Sequence, residues 1–405
     1  MGAGATGSGK AGPPRRAAGP AAGAWWNDRR VRAVFYQILV IGGVLLLVWF
    51  LVANTLDNLN QRNIATGFGF LHREAGFDIS ERLIDYTPAD TYLRALVVGL
   101  LNTMLVSVLG VILATILGTI VGIARLSRNW LVAKVASFYV EIVRNIPVLL
   151  QLFFWYSMIT EALPSPRQAL NPLPGVFFSN RGMRFPVPEA DPAWTYVAVA
   201  FLVGVGATWV FARWARAYQN RTGRIPPTLS VALGLILGLP LITYLAAGAP
   251  TAMNMPELRG FNFSGGTTVT PEFTALLLGL VVYTASYIAE IVRGGILAVS
   301  HGQTEAGLAL GLHRGAVLRL IVLPQALRVI IPPLTSQYLN LTKNSSLAVA
   351  IGFPDLVSAA NTTINQTGQA VEGIAIIMAI YLTVSLSISA VMNWYNRRIA
   401  LQGAR

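Results

Sequence analysis

Five ionisable residues interrupt otherwise apolar stretches of this sequence: Glu141 and Arg144 in one, Glu290 and Arg293 in a second, Lys343 in a third. Ionisable groups within apolar spans are costly in lipid and face a cavity or a partner. Two readings of them stay open. In one, Glu141 with Arg144 and Glu290 with Arg293, each pair three apart on one helix face, are structural ion pairs that anchor helix ends. In the other, Asn102, Thr103, Glu141, Tyr287 and Lys343 line the route of a zwitterionic solute. A separate stretch of low hydrophobicity runs Glu305-Ala306-Gly307, then Gly311, Ile321 and Leu323-Pro324. It predicts a short helix over residues 304–310, a turn at Gly311 and a second amphipathic stretch, lying flat at a membrane surface. Ala306 and Gly307 admit a partner's backbone closely, Glu305 offers a charge, and Gly311 permits the turn. A partner gripping such a helix would transmit rigid-body motion through it.

Other chemistries are excluded by residue type. With no cysteine there is no disulfide, thiolate ligand or cysteine nucleophile. His72, His301 and His313 are scattered, so no metal site is assigned. Gly4 through Gly9-Lys10 mimics the start of a phosphate-binding loop, but Ala11 stands where Ser or Thr should hold magnesium. The chain is therefore expected neither to bind ATP nor to be catalytic.

The elements that carry these residues must sit in lipid. Of 405 residues 54% are hydrophobic and 12% charged, against about 25% charged in soluble domains. Stretches of about 20 apolar residues recur near 33–54, 96–124, 131–160, 195–213, 229–247, 273–292, 330–352 and 371–394, which predicts an all-α polytopic protein of about eight spans. The first run is too long for a signal-peptide core. Residues 1–32, rich in Gly, Ala, Pro and Arg, form a tail predicted to be disordered and cytosolic. Basic clusters in that tail, in the 125–134 turn, at Arg213, Arg216, Arg221 and Arg224, in the 293–328 segment and at Arg397 and Arg398 alternate with mixed loops. Both termini are thus expected in the cytoplasm, with 55–94 a loop on the opposite side, and the net charge of +13 reads as membrane topology rather than nucleic-acid binding. The hairpin at about 195–247 and the first span look like additions to a core of five helices. Pro147 is expected to break the third span. The tryptophans fall mostly near span ends and read as interfacial anchors.

The spacing around Glu305 resembles the EAA loop of ABC importer permeases, with Gly307 standing for the second alanine. Over most of 90–400 the sequence resembles the polar amino-acid permease family of these importers, most closely the Q-type subunit of general L-amino acid transporters. Gly99-Leu-Leu-Asn-Thr-Met, Arg125-Leu-Ser-Arg-Asn-Trp130, Tyr139-Val-Glu-Ile-Val-Arg-Asn-Ile-Pro147, Leu149-Leu-Gln-Leu152, Ala289-Glu-Ile-Val-Arg-Gly-Gly295 and Lys343-Asn-Ser-Ser-Leu347 carry that likeness. The resemblance implies a type I ABC importer permease core over 95–400, with a coupling loop at 300–325. It also implies two cytosolic ATPase subunits that hydrolyse the ATP, no cofactor on this chain, a periplasmic amino-acid-binding protein and a second, related permease in a heterodimer rather than a homodimer. The implied place is the bacterial inner membrane. The rival class is an ion-gradient-driven secondary transporter, which needs broken helices in an inverted repeat; no clear inverted repeat is visible.

Overall fold

The computed structural model describes residues 29–61, 66–224 and 226–401. Residues 1–28, with the Gly4 to Lys10 mimic, lie outside the described residues. Residues 29–32, expected in the tail, instead form the first turn of helix α1 (Arg29–Gln61), which also runs past the expected end at residue 54. Its 33 residues span about 50 Å at 1.5 Å per residue, more than a bilayer core requires. The chain divides into two units, residues 1–67 and 68–405. Within the first, the large apolar side chains of α1 from Val34 to Val52 are exposed.

The second unit opens with a small folded cap where a loop was expected. Phe70, Ala75, Ile79 and Tyr86 are buried together with Tyr92. Then follow α2 (Tyr92–Ala124), α3 (Trp130–Asn145) and α4 (Val148–Ala162). Thr91 caps α2 by accepting from the Arg94 amide, and Asn129 caps α3 by accepting from Leu131 and Val132. Each such cap satisfies amides that the helix itself leaves free. After strands β1 (Leu170–Leu173), β2 (Val176–Ser179), β3 (Gly182–Phe185) and β4 (Val187–Pro188) come α5 (Pro192–Thr222), α6 (Thr228–Leu233) and α7 (Leu239–Ala246). Strands β5 (Met253–Asn254), β6 (Glu257–Arg259), β7 (Asn262–Ser264) and β8 (Thr267–Val269) lead into α8 (Pro271–Leu297). The chain finishes with α9 (His301–Ala309), α10 (Arg314–Val317), α11 (Leu323–Asn344), α12 (Leu356–Thr367) and α13 (Ala370–Leu401).

Among the described residues seven helices are long and apolar enough to cross a membrane, or eight if the bent pair α3 and α4 counts as one span. The polar run Lys343 to Ser346 is where α11 gives way to a 3-10 turn, Ser345–Ile351. Helix α8 is the hub of the core: Leu276, Leu280, Ala285 and Ile288 are fully buried on it, and α2, α3, α4 and α11 all pack against it. Gly110, Ala114, Gly118 and Gly122 lie four apart on one buried face of α2, with Gly110 against Leu341 of α11 and Gly118 and Gly122 against α8. A Cβ on Gly118 would lie 2.6 Å from the Ile288 Cβ, and one on Gly122 2.7 Å from the Ala289 carbonyl oxygen. Small residues let the backbones meet, which is how helices gain packing in lipid without a hydrophobic driving force.

Helix α5 packs on α6 and α7, joined there through a π-helical turn at Gly234–Gly238. This hairpin is closed at its base by strand pairing: β3 runs antiparallel to β8 with Met183 opposite Val269, and β4 to β5 with Val187 opposite Asn254. The loops on either side of the hairpin thus carry strands of two to four residues that an all-helical reading did not include.

Candidate functional site

The segment around Glu305 is built on α9, which starts three residues earlier than expected. Its C-terminus closes as a glycine cap. Gly311 adopts φ +80°, with its amide donating to Leu308 O at 2.9 Å and that of Leu312 to Gly307 O at 3.2 Å. That left-handed geometry is what glycine supplies at low cost. The chain then turns through α10 into a π-helical turn, Leu318–Val322, ahead of Pro324. Proline has no amide to continue an α-helical ladder, and a wider turn absorbs the loss.

Gly307 is buried where α9 lies on this return segment, and an added Cβ would stand 2.7 Å from Ile321 Cδ1 and 3.0 Å from Val317 Cγ2. The Gln325 side-chain amide donates to Ile321 O at 3.1 Å and to Gln303 Oε1 at 3.4 Å, so α9 is tied to α11. Ala306, Gly307, Leu323 and Pro324 border one open cleft of about 760 Å³. Glu305 points away from it, its side chain 68% exposed, with His301 Nδ1 at 2.9 Å from Oε1. Leu310, 81% exposed, also stands free at the helix end.

The second set of predicted residues gathers around a break. Helix α3 ends at Asn145, extended Ile146 and then Pro147 follow, α4 begins at Val148, and the two axes differ by 106°. Freed carbonyls inside a membrane protein must find donors. Gln151 supplies them: its Nε2 donates to Val143 O and to Ile146 O, both at 2.9 Å. Sequence reasoning gave Gln151 no role, although a glutamine four residues after a proline in an apolar run signals such a need. Tyr139 fixes α3 to α8 by donating to Val282 O at 2.7 Å.

Of the two expected ion pairs one is formed. Arg293 donates to Glu290 at 2.7 Å, and Glu290 also bonds Arg125, which reaches Ser137 on α3 at 3.3 Å. Arg125, at the end of α2, is a participant the sequence did not single out, and the cluster ties α2, α3 and α8 together. Glu141 and Arg144 do not pair among the described residues. The Arg144 guanidinium turns instead to the ring of Tyr287 on α8, 4.9 Å from its centroid, and the Tyr287 and Tyr283 hydroxyls are 3.2 Å apart. The negative face of a tyrosine ring attracts a guanidinium even at an exposed position such as that of Arg144.

The predicted path residues do not form one cluster. Glu141 and Lys343 are exposed on the chain, whereas Asn102 and Thr103 are buried and already engaged. Asn102 Nδ2 donates to Glu81 O at 2.7 Å and Pro354 O at 2.9 Å, and Thr103 Oγ1 accepts from the Leu356 amide at 3.1 Å. These two hold the 68–91 cap and the start of α12 to α2. Asp355 is buried beside them and caps α12 by accepting from the Ser358 amide at 2.8 Å.

Comparison with known proteins adds to this geometry. Residues 227–401 match the family described as binding-protein-dependent transport system inner membrane component. The chain is 49% identical to the general L-amino acid transport system permease protein AapQ of Rhizobium johnstonii, over 92% of this chain and 94% of that one. It is 51% identical to the putative amino-acid ABC transporter permease protein YhdX of Escherichia coli K12, over 92% and 95% respectively. Identity to the glutamate/glutamine/aspartate/asparagine transport system permease protein BztB of Rhodobacter capsulatus is 45%, over 93% and 95%. Permease subunits of this kind have no ATPase site of their own, the ATPase being a separate subunit. With identity of this order along nearly its whole length, the chain belongs to the permease subunits of ABC importers, in the Q-type branch.

Proposed function

We propose that this chain forms one half of the translocation pathway of a broad-specificity importer of polar L-amino acids, driven by ATP hydrolysed on two cytosolic ABC ATPase subunits. A second, related permease completes the pathway as a heterodimer, and a periplasmic amino-acid-binding protein delivers substrate. The chain lies in the bacterial inner membrane with both termini in the cytoplasm. The substrate class is supported by the amino acids that the names of its relatives carry, and the orientation by the alternation of basic segments along the sequence.

The observation that carries the reading is the construction of α9: a short exposed helix with Glu305 outward, fastened to α11 through Gly307 and Gln325. Force applied to α9 reaches α11, and α11 packs on α8. We assign Glu305, Ala306, Gly307, Gly311, Leu323 and Pro324 to ATPase coupling. For the substrate route, Tyr287 with Arg144 stands beside the helix break, and Glu141 and Lys343 are exposed where a second permease can close a shared path.

The test is uptake of labelled L-amino acids into vesicles that contain the assembled transporter. ATP should drive uptake with ion gradients collapsed, and Glu305→Ala should reduce it to background while the chain stays folded. Normal uptake by that variant would remove the coupling assignment, and uptake on an ion gradient without ATP would remove the importer mechanism.

A further inference from the structure

Between Asp191 and Glu257 the sequence has no acidic residue, yet it carries Arg213, Arg216, Arg221 and Arg224. All four are exposed at one end of the α5–α7 hairpin. Arg213 and Arg216 lie one turn apart on α5, and Arg213 stands 4.3 Å over the ring of Trp209, itself one turn earlier. These residues and Ala212 line a cleft of about 250 Å³. Along the same face of α5, at the helical spacing of three and four, come Gly206 and Leu202. Leu202 is 68% exposed, and a Cβ on Gly206 would meet nothing within 4 Å. An apolar track with a shallow notch therefore leads onto a ring-backed pair of cations that no carboxylate neutralises among the described residues.

We propose that this end of the hairpin is a binding site for an anionic phospholipid, its phosphate on Arg213 and Arg216 and one acyl chain on the Leu202, Gly206 and Trp209 face. Guanidinium forks suit phosphate oxygens better than a point charge does. Trp209 holds Arg213 from behind and sits at the depth where indole rings settle. The hairpin packs on itself rather than on the core helices, so a lipid here covers a surface that the rest of the described chain does not. Basic clusters at a membrane surface are attracted to anionic lipid, each arginine adding to the preference. Two arginines together correspond to roughly a tenfold or greater preference over a zwitterionic lipid.

The experiment is native mass spectrometry of the full chain purified in mild detergent, titrated with phosphatidylglycerol or phosphatidylcholine. Wild type should retain phosphatidylglycerol selectively, and R213Q/R216Q should lose at least about tenfold of that retention. R128Q/K134Q, which removes equal charge at the α2–α3 turn and the start of α3, should keep it. Gly206→Leu, which leaves every charge in place, should also lower retention by filling the notch. Equal loss in R128Q/K134Q would reduce the effect to general surface attraction and overturn the site. Displacement of the lipid by millimolar inorganic phosphate would overturn it in favour of a free-anion site.

Discussion

Glu272, at the start of α8, lies within electrostatic reach of Glu81 in the 68–91 cap. Burial, and then the charge of Glu272, push the Glu81 carboxyl up to about 7, while Tyr156 on α4 donates to Glu272 at 3.1 Å. The sign follows from linkage: the folded chain holds this proton more tightly than the unfolded one. Its stabilisation is therefore complete below about 4.5 and lost as pH rises through about 7. Hydrogen exchange corrected for intrinsic rate should show the 68–91 cap opening more readily at pH 8 than at pH 6, and Glu81→Gln should reduce that difference, the remainder belonging to Asp355, whose carboxyl burial likewise pushes up to about 7. An unchanged pH dependence in the variant would refute the assignment. None of this was legible in the sequence, since Glu81 and Glu272 are far apart along the chain and only the fold brings them together. Arg144 teaches the same lesson: its spacing from Glu141 was readable, but the ring it chose lies on another helix.

At the scale of elements, legibility tracked length. Long apolar runs gave their helices, and Pro147 gave its break, because the missing amide acts locally. The strands at the base of the α5–α7 hairpin were invisible, being too short for alternation to register and held by partners far along the chain. Helix α12 was missed because Asn, Thr and Gln fill its second half. The Gly307 departure from a consensus alanine now has a physical setting. A methyl there meets the flexible end of Ile321 and, at 3.0 Å, a methyl of Val317, contacts that small side-chain shifts relieve, whereas a branched side chain drives further into both. Gly307→Ala should accordingly support near-normal uptake and Gly307→Val should uncouple transport. Equal activity of the two variants would show that α9 does not depend on this close contact.

At the scale of the molecule, α8 gathers α2, α3, α4 and α11, with α9 hanging from the end of that assembly. The exposed apolar side chains of α3, α4 and α13 offer surface to lipid or, under the proposed function, to a second permease. The coupling surface proposed for the ATPases is exposed Glu305 with the cleft around Pro324, and it was the likeness to known permeases that suggested what would dock there. The most direct measurement is quantitative mass spectrometry of what copurifies with the full chain from its native membrane in mild detergent at low salt, for wild type and Glu305→Ala. The account predicts an ABC ATPase and a second, related permease with the wild type, and the permease alone with the variant. A folded chain that recovers neither would contradict it.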